Sequence, residues 1–442
     1  MAIIKPFRGM RFNKAKIPEL SQVVSQPYDR VRYGLQEKYY DLNPYNIVRI
    51  IRGKELPDDV PDRLEGPNVY TRGKAYYDLW RIEQVLAREE KPALYAYHQT
   101  STVRGETKTR KGFITAFELS GFDEGVVLPH ERTHAGPKVD RLRLLRTTQV
   151  NFGQIFMLYP DAERKIEALF DLAIAGREPD IDVVEMFEKD VRQQVWAVTD
   201  EETIRAVQEE MAPKRNLIIA DGHHRYETAL NYRNQMCQQY PDAPPEAAFR
   251  YRMVTMVSMD DPGLVILPTH RELLDLDVTA ADVLQRAAPY FDVFAVADLD
   301  ACLDEMKTRQ EQHAFGLYAN GQYRVLVLQD PQLIDKMITQ DRLLAWKSLD
   351  VSILHKILLE QVVGLPEESV ERCVRYHRDP ALPVQNVDAG EGDMVFFLNP
   401  TRIEQVKECA EHEEKMPQKS TDFYPKVITG LTMMPVGPEE RL

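Results

Sequence analysis

Asn216-Leu-Ile-Ile-Ala-Asp221-Gly222-His223-His224-Arg225-Tyr226 is the stretch that decides the fold of this 442-residue chain. Asn216 to Ala220 is a short apolar run of strand length, and Tyr226 to Tyr240 carries a helical pattern. Strand, turn and helix in succession put Asp-Gly-His-His-Arg at a helix N-terminus, where unbonded amides and the helix dipole favour an anion. Gly222 lets the backbone approach a ligand closely, and Arg225 can grip a phosphate or carboxylate through two parallel bonds. His223 and His224 can donate hydrogen bonds or carry protons near neutral pH. Asp221 alone would be an ordinary N-cap. An N-cap does not need two histidines and an arginine behind it, so the element reads as a ligand-binding turn.

Working upstream, Ala93–Tyr97 and Gly112–Phe117 read as a strand pair around a basic hairpin. Residues 71–90 read as an amphipathic helix with Ala75, Leu79, Ile82 and Leu86 on one face. Leu128-Pro-His-Glu131 opens a motif-rich segment that includes His130-Glu131-Arg132-Thr133-His134, a match to the H-E-x-x-H zinc pattern. That pattern needs both histidines on one helical face, yet Pro129 precedes it and Gly136-Pro137 follows at once. Downstream, residues 241–245 read as a linker. Tyr251–Met259, Phe315–Tyr318 and Tyr323–Leu328 then read as strands of a further α/β region, in which His355 reads as a satisfied core histidine. The segment 416–426 is polar and turn-rich, an ordinary C-terminal loop by composition. These divisions predict an N-terminal α/β extension over 1–127, a core over 128–244 and a C-terminal α/β region over 245–442.

Composition narrows the function classes. Hydrophobic residues make up 43% and charged residues 29%, the balance of a soluble globular protein. No run approaches the roughly 18 apolar residues of a membrane span, and the N-terminus lacks a signal-peptide pattern. Four scattered cysteines read as reduced thiols, so a cytoplasmic location is expected. The net charge of −14 argues against general nucleic-acid binding. Basic clusters nonetheless survive locally. Residues 1–53 hold ten basic side chains against four acidic ones, and Glu131–Arg146 holds five against two. Such clusters can hold a small anion.

The strand followed by Asp221-Gly-His-His-Arg225-Tyr resembles the signature of free L-serine kinases of the ParB/sulfiredoxin-like superfamily. Leu128-Pro-His-Glu131 is similar to that family's Pro-His-Glu segment, and Pro417-Gln-Lys-Ser-Thr421 to its C-terminal Pro-Lys-Thr-Thr segment. Over its length the chain also looks like a family of long bacterial proteins known as a domain of unknown function. There a Pro-Lys-x-Asp-Arg element (Pro137, Lys138, Asp140, Arg141) and the Lys-Ser-Thr tail recur.

The resemblance implies an α/β (α+β) fold with a ParB/sulfiredoxin-like core, and a metabolic kinase that phosphorylates free L-serine to O-phospho-L-serine. It implies Glu131 as base for the serine hydroxyl, with Asp221 and His223 completing the catalytic set. Gly222, His224, Arg225, Lys138 and Arg141 would bind the nucleotide phosphates of ATP or ADP. Mg²⁺ would be carried by those phosphates, with no direct protein ligand. His130, Lys419, Ser420 and Thr421 would bind the amino acid. The expected partners are small molecules, with no nucleic acid and no membrane. Two alternatives come from other classes: a zinc-dependent hydrolase using His130, Glu131 and His134, and a non-catalytic nucleotide-binding module.

Overall fold

The computed structural model describes the chain except residues 32, 33, 61–65, 104, 131–134 and 189, and the side chains of 135–137. The fold is mixed α/β, and the chain divides into two compact units. The first comprises Met1–Pro129, Thr133–Leu264 and Pro425–Leu442; the second comprises His130–Arg132 and Val265–Tyr424.

A nine-stranded sheet organises the first unit. In chain order its strands are β1 (Ile4–Lys5), β2 (Leu94–Val103), β3 (Glu106–Glu118), β4 (Val127–Pro129), β5 (Ile155–Tyr159), β6 (Ile181–Val184), β7 (Val191–Val198), β8 (Leu217–Asp221) and β9 (Tyr251–Ser258). Their spatial order is β4-β8-β5-β9-β3-β2-β7-β6, with β1 against β3. The pairs β8–β4 and β9–β5 are parallel and the rest antiparallel. The hairpin expected around the basic turn is β2–β3, with Tyr95 opposite Ile114 and Val103 opposite Glu106. Strands β5 and β9 are buried along their whole length, and β5 accordingly reads as an unbroken apolar run rather than an alternating one. The boundaries expected near residues 127 and 244 both fall inside this unit. Hydrogen bonding carries the sheet across them: Leu217 pairs with Val127, and Val254 with Thr115.

Helices α1 (Val69–Ile82), α2 (Ala135–Thr148), α3 (Lys165–Ile174), α4 (Glu201–Met211) and α5 (His223–Gln239) belong to this unit. Phe113 stacks on Phe170 with centroids 5.0 Å apart, in a core that also takes Leu217, Ile219, Tyr226 and Met256. Helix α1 differs from expectation in both length and face. Asn68 caps it by accepting from the amides of Tyr70 and Thr71, and Gln84, at φ +58°, lies just beyond its end. Its buried face is Tyr70, Gly73, Tyr77 and Trp80, whereas Leu79 and Ile82 are 46% and 79% exposed. Aromatic side chains remove more area from water than the aliphatic stripe, and they set the helix's rotation.

The second unit is built on a six-stranded antiparallel sheet. A core of Cys302, Met306, Val325, Val395 and Phe397 packs on it. A short antiparallel pair, β10 (Val265–Leu267) with β11 (Asp422–Tyr424), joins the polar tail to this unit. His355 departs from expectation. Its Nε2 has no hydrogen-bond partner, and burial, followed by Arg271 and Lys356, pushes its pKa down to about 3. Among the described residues no helix is long and apolar enough to cross a membrane.

Candidate functional site

Strand β8 ends at Asp221 and helix α5 begins at His223, so Gly222 alone makes the turn. Its φ is +98°, in the left-handed region, and a Cβ there would lie 2.9–3.1 Å from the guanidinium of Arg225. Glycine is required twice over, for the backbone and for the space. Arg225 sits one helical turn on and folds back. Its Nη2 donates to Asp221 Oδ2 and its Nη1 to the carbonyl of Gln154 on the neighbouring chain segment. The side chain is 8% exposed and acts as a clamp on the turn.

A second cation reaches Asp221 from the C-terminal segment. Lys426 Nζ lies 3.4 Å from Asp221 Oδ1. The backbone around Lys426 is fixed by the sheet: Arg110 donates to the Pro425 carbonyl at 2.6 Å and Gln99 to the Lys426 carbonyl at 3.0 Å. Burial works against ionising Asp221. Lys426, Arg225, Arg30 and His223 outweigh it, holding the carboxyl well below the usual carboxylate range.

Beside the turn lies a pocket with Tyr28, Arg141, Gly153, Arg225, Arg252 and Thr429 among its walls. Arg141, on α2, pairs with Asp140, donates to the Ile51 carbonyl at 2.9 Å and stacks on the Tyr28 ring at 4.0 Å. Arg252, on β9, donates Nη2–H to the Gly153 carbonyl at 2.7 Å, and its Nε has no partner. Burial, then the guanidiniums of Arg225 and Arg141, push the pKa of Arg252 down to about 9. It remains a cation at neutral pH.

The first unit thus brings together Asp221, Gly222, Arg225 and Arg141 among the expected residues, and His223 is buried at the start of α5. His224 follows it, half-buried. Lys138 pairs with Glu227 of α5, and the pocket walls take Arg141 without it. Tyr28, Arg30, Gln154 and Arg252 were not among the residues expected from the sequence, and Lys426 is the last residue of the polar 416–426 segment. Arg252 lies in an otherwise apolar strand, and a charged residue at such a position was the available signal.

The second unit gathers the residues expected to bind the amino acid. His130 is fully buried, its Nε2 lies 2.9 Å from Thr421 Oγ1, and its carbonyl accepts from the Met416 amide at 2.8 Å. Ser420 Oγ donates to the Pro417 carbonyl at 2.6 Å, and the Ser420 carbonyl accepts from Thr401 Oγ1 at 2.7 Å. Lys419 has φ +57°, and its carbonyl accepts from Arg271 at 3.1 Å. The tail is therefore a hydrogen-bonded turn rather than a loose loop. Glu131 and His134, the expected base and the second zinc-pattern histidine, lie outside the described residues. Among the described residues no three His, Cys, Asp or Glu side chains converge as a metal site.

Comparison with solved structures finds a conserved hypothetical protein from Pyrococcus furiosus, 14% identical with a TM-score of 0.32, covering 72% of this chain and 94% of that one. A free serine kinase in complex with AMP is 15% identical with a TM-score of 0.34, covering 72% and 90%. SbnI with a C-terminal truncation, from Staphylococcus aureus, is 9% identical with a TM-score of 0.34, covering 73% and 87%. No curated protein matches the chain. The model of a family described as "Protein of unknown function (DUF1015)" matches residues 4–352, most of the length, and the protein belongs to that family.

Proposed function

We propose that the protein is a kinase that transfers a phosphoryl group from ATP or ADP to the hydroxyl of free L-serine, giving O-phospho-L-serine. The observation that carries this reading is the Asp221–Arg225 turn. It stands at the N-terminus of a 17-residue helix, its carboxylate held ionised by Arg225 and Lys426. Phosphoryl transfer asks a protein mainly for positioning and for cations around the equatorial oxygens. The turn offers amides and the helix dipole, and Arg141 and Arg225 line the pocket next to it.

In this reading Gly222, His224, Arg225, Arg141 and Lys138 hold the nucleotide phosphates. Asp221 and His223 orient the transferring group. Glu131 takes the proton of the serine hydroxyl. His130, Lys419, Ser420 and Thr421 bind the amino acid, with the His130–Thr421 contact fixing the hydroxyl of Thr421. Mg²⁺ carried on the phosphates would offset their charge during transfer. Asp221 itself is committed to two cations, which fits a metal held by the nucleotide rather than by the protein. The test is incubation of the full chain with L-serine, Mg²⁺ and ATP or ADP in turn, with phosphoserine detected by mass. Phosphoserine formed with one nucleotide and not without it supports the reading. Its absence with both donors overturns it.

A further inference from the structure

Arg252 poses a problem that the turn does not. It is 6% exposed, the second residue of a strand buried along its whole length. Arg225 and Arg141 each have a carboxylate partner, Asp221 and Asp140. Among the described residues Arg252 has none. Its single hydrogen bond goes to the neutral Gly153 carbonyl, Nε is unpartnered, and the charges that act on it are those of Arg225 and Arg141. A buried guanidinium without a counter-charge costs several kcal/mol, and two like charges nearby raise that cost. It lines the same pocket as both of them, and Tyr28 is among the other lining residues. Leu144, Val150 and Phe152 give the same pocket an apolar wall.

We propose that this pocket is the seat of a nucleotide's phosphate group, with Arg252 as its inner donor beside Arg225 and Arg141 and with the apolar wall taking the uncharged part of the ligand. The inference rests on the phosphate role given above to Arg141 and Arg225, and adds the residue and cavity that complete it. A phosphate oxygen on Nε supplies both the missing hydrogen bond and the missing charge, in the forked geometry that guanidinium and phosphate share. Gly153 guards the same space. Its φ is not in the left-handed region, and an added Cβ would lie 3.2 Å from Thr429 Oγ1 and 3.8 Å from Arg225 Nη1, both side chains of the pocket lining rather than backbone.

The experiment is calorimetric titration of the full chain with inorganic phosphate, AMP and phosphoserine, using wild type, Arg252→Met and Gly153→Ala. Saturable phosphate binding is expected in the wild type, with AMP tighter. Arg252→Met should weaken both by about 10- to 100-fold, the loss of one charge-assisted contact. Gly153→Ala keeps every charge and should also weaken both, so the test survives if Arg252→Met fails to fold. No saturable phosphate binding by the wild type, unchanged affinity in both variants, or phosphoserine binding tighter than AMP would each overturn the proposal. The serine-kinase reading fails separately. Phosphate and AMP binding lost in the variants, with no phosphoserine made by the wild type, would uphold the pocket and remove that reading. Full-rate phosphoserine formation by both variants would uphold the reading and remove the pocket.

Discussion

Lys426 Nζ stands 3.4 Å from Asp221 Oδ1, although 205 positions separate the two residues in the chain. The contact ties the C-terminal segment of the first unit to the turn that begins α5, and it makes Asp221 the shared anion of Lys426 and Arg225. A carboxylate so held cannot act as a base near neutral pH. Its chemistry is that of a fixed anion that orients two cations.

Lys426→Met therefore has a defined pH signature. The folded pKa of Asp221 is depressed, so its stabilising contribution is complete above the ordinary carboxylate range. That contribution is lost only as pH falls through the folded value. Removing the ammonium leaves Arg225 in place and should cost about 1–2 kcal/mol near neutral pH. In urea unfolding, the gap between wild type and variant should stay constant from about pH 7 to pH 5. A gap that closes over that interval would assign the effect to a histidine rather than to Asp221.

Gly222→Ala tests the turn itself. A side chain at φ +98° is strained, and its Cβ would press on a guanidinium pinned at both ends. We expect a loss of about 2–3 kcal/mol, together with weaker nucleotide binding as Arg225 is displaced. Urea unfolding and an AMP titration check the two effects. Wild-type stability in the variant would mean the turn is not held as described.

Arg225→Lys separates charge from shape. The guanidinium spans Asp221 and the Gln154 carbonyl at once, and a single ammonium cannot reproduce that fork. The charge near Asp221 survives, so the fold should hold while nucleotide affinity falls by about tenfold or more. Unchanged affinity on titration would remove Arg225 from the ligand's reach.

Much of this site was legible locally. Five consecutive residues, Asp221 to Arg225, announced a tight strand-to-helix turn because strand, glycine and helix signals met there. The hairpin β2–β3 was legible because both strands carry β-prone residues around a charged turn. What the sequence hid is what depends on distant pairing. Nothing near Arg252 says that Arg141 and Arg225 share its pocket, since strand β9 meets them only through the sheet order. Lys426 was visible as a cation, but its carboxylate lies far back in the chain. Helix α1 shows a different limit. Two apolar stripes competed, and the aromatic one won because Tyr77 and Trp80 bury more surface than Leu79 and Ile82.

Glu131 and His134 separate phosphoryl transfer from metal-dependent hydrolysis. If Glu131 deprotonates the serine hydroxyl, Glu131→Gln keeps the shape and loses the basic oxygen. Removing a general base costs about 10²- to 10⁴-fold in rate, while nucleotide and serine should still dock because neither needs the proton moved in order to bind. His134→Ala should leave a kinase nearly unchanged, since that histidine belongs only to the zinc pattern. A hydrolase would behave otherwise. Both substitutions would abolish activity, and His134→Ala would also release a bound metal that His130 and His134 held together. His130 already has a partner in Thr421 Oγ1 at 2.9 Å, which a ligated imidazole nitrogen would have to surrender. The paired measurement is phosphoserine formation and bound zinc in both variants of chelator-free protein. Slow turnover with intact binding in Glu131→Gln and wild-type turnover in His134→Ala is the expected outcome. Turnover lost together with zinc in His134→Ala would overturn the kinase mechanism in favour of the hydrolase.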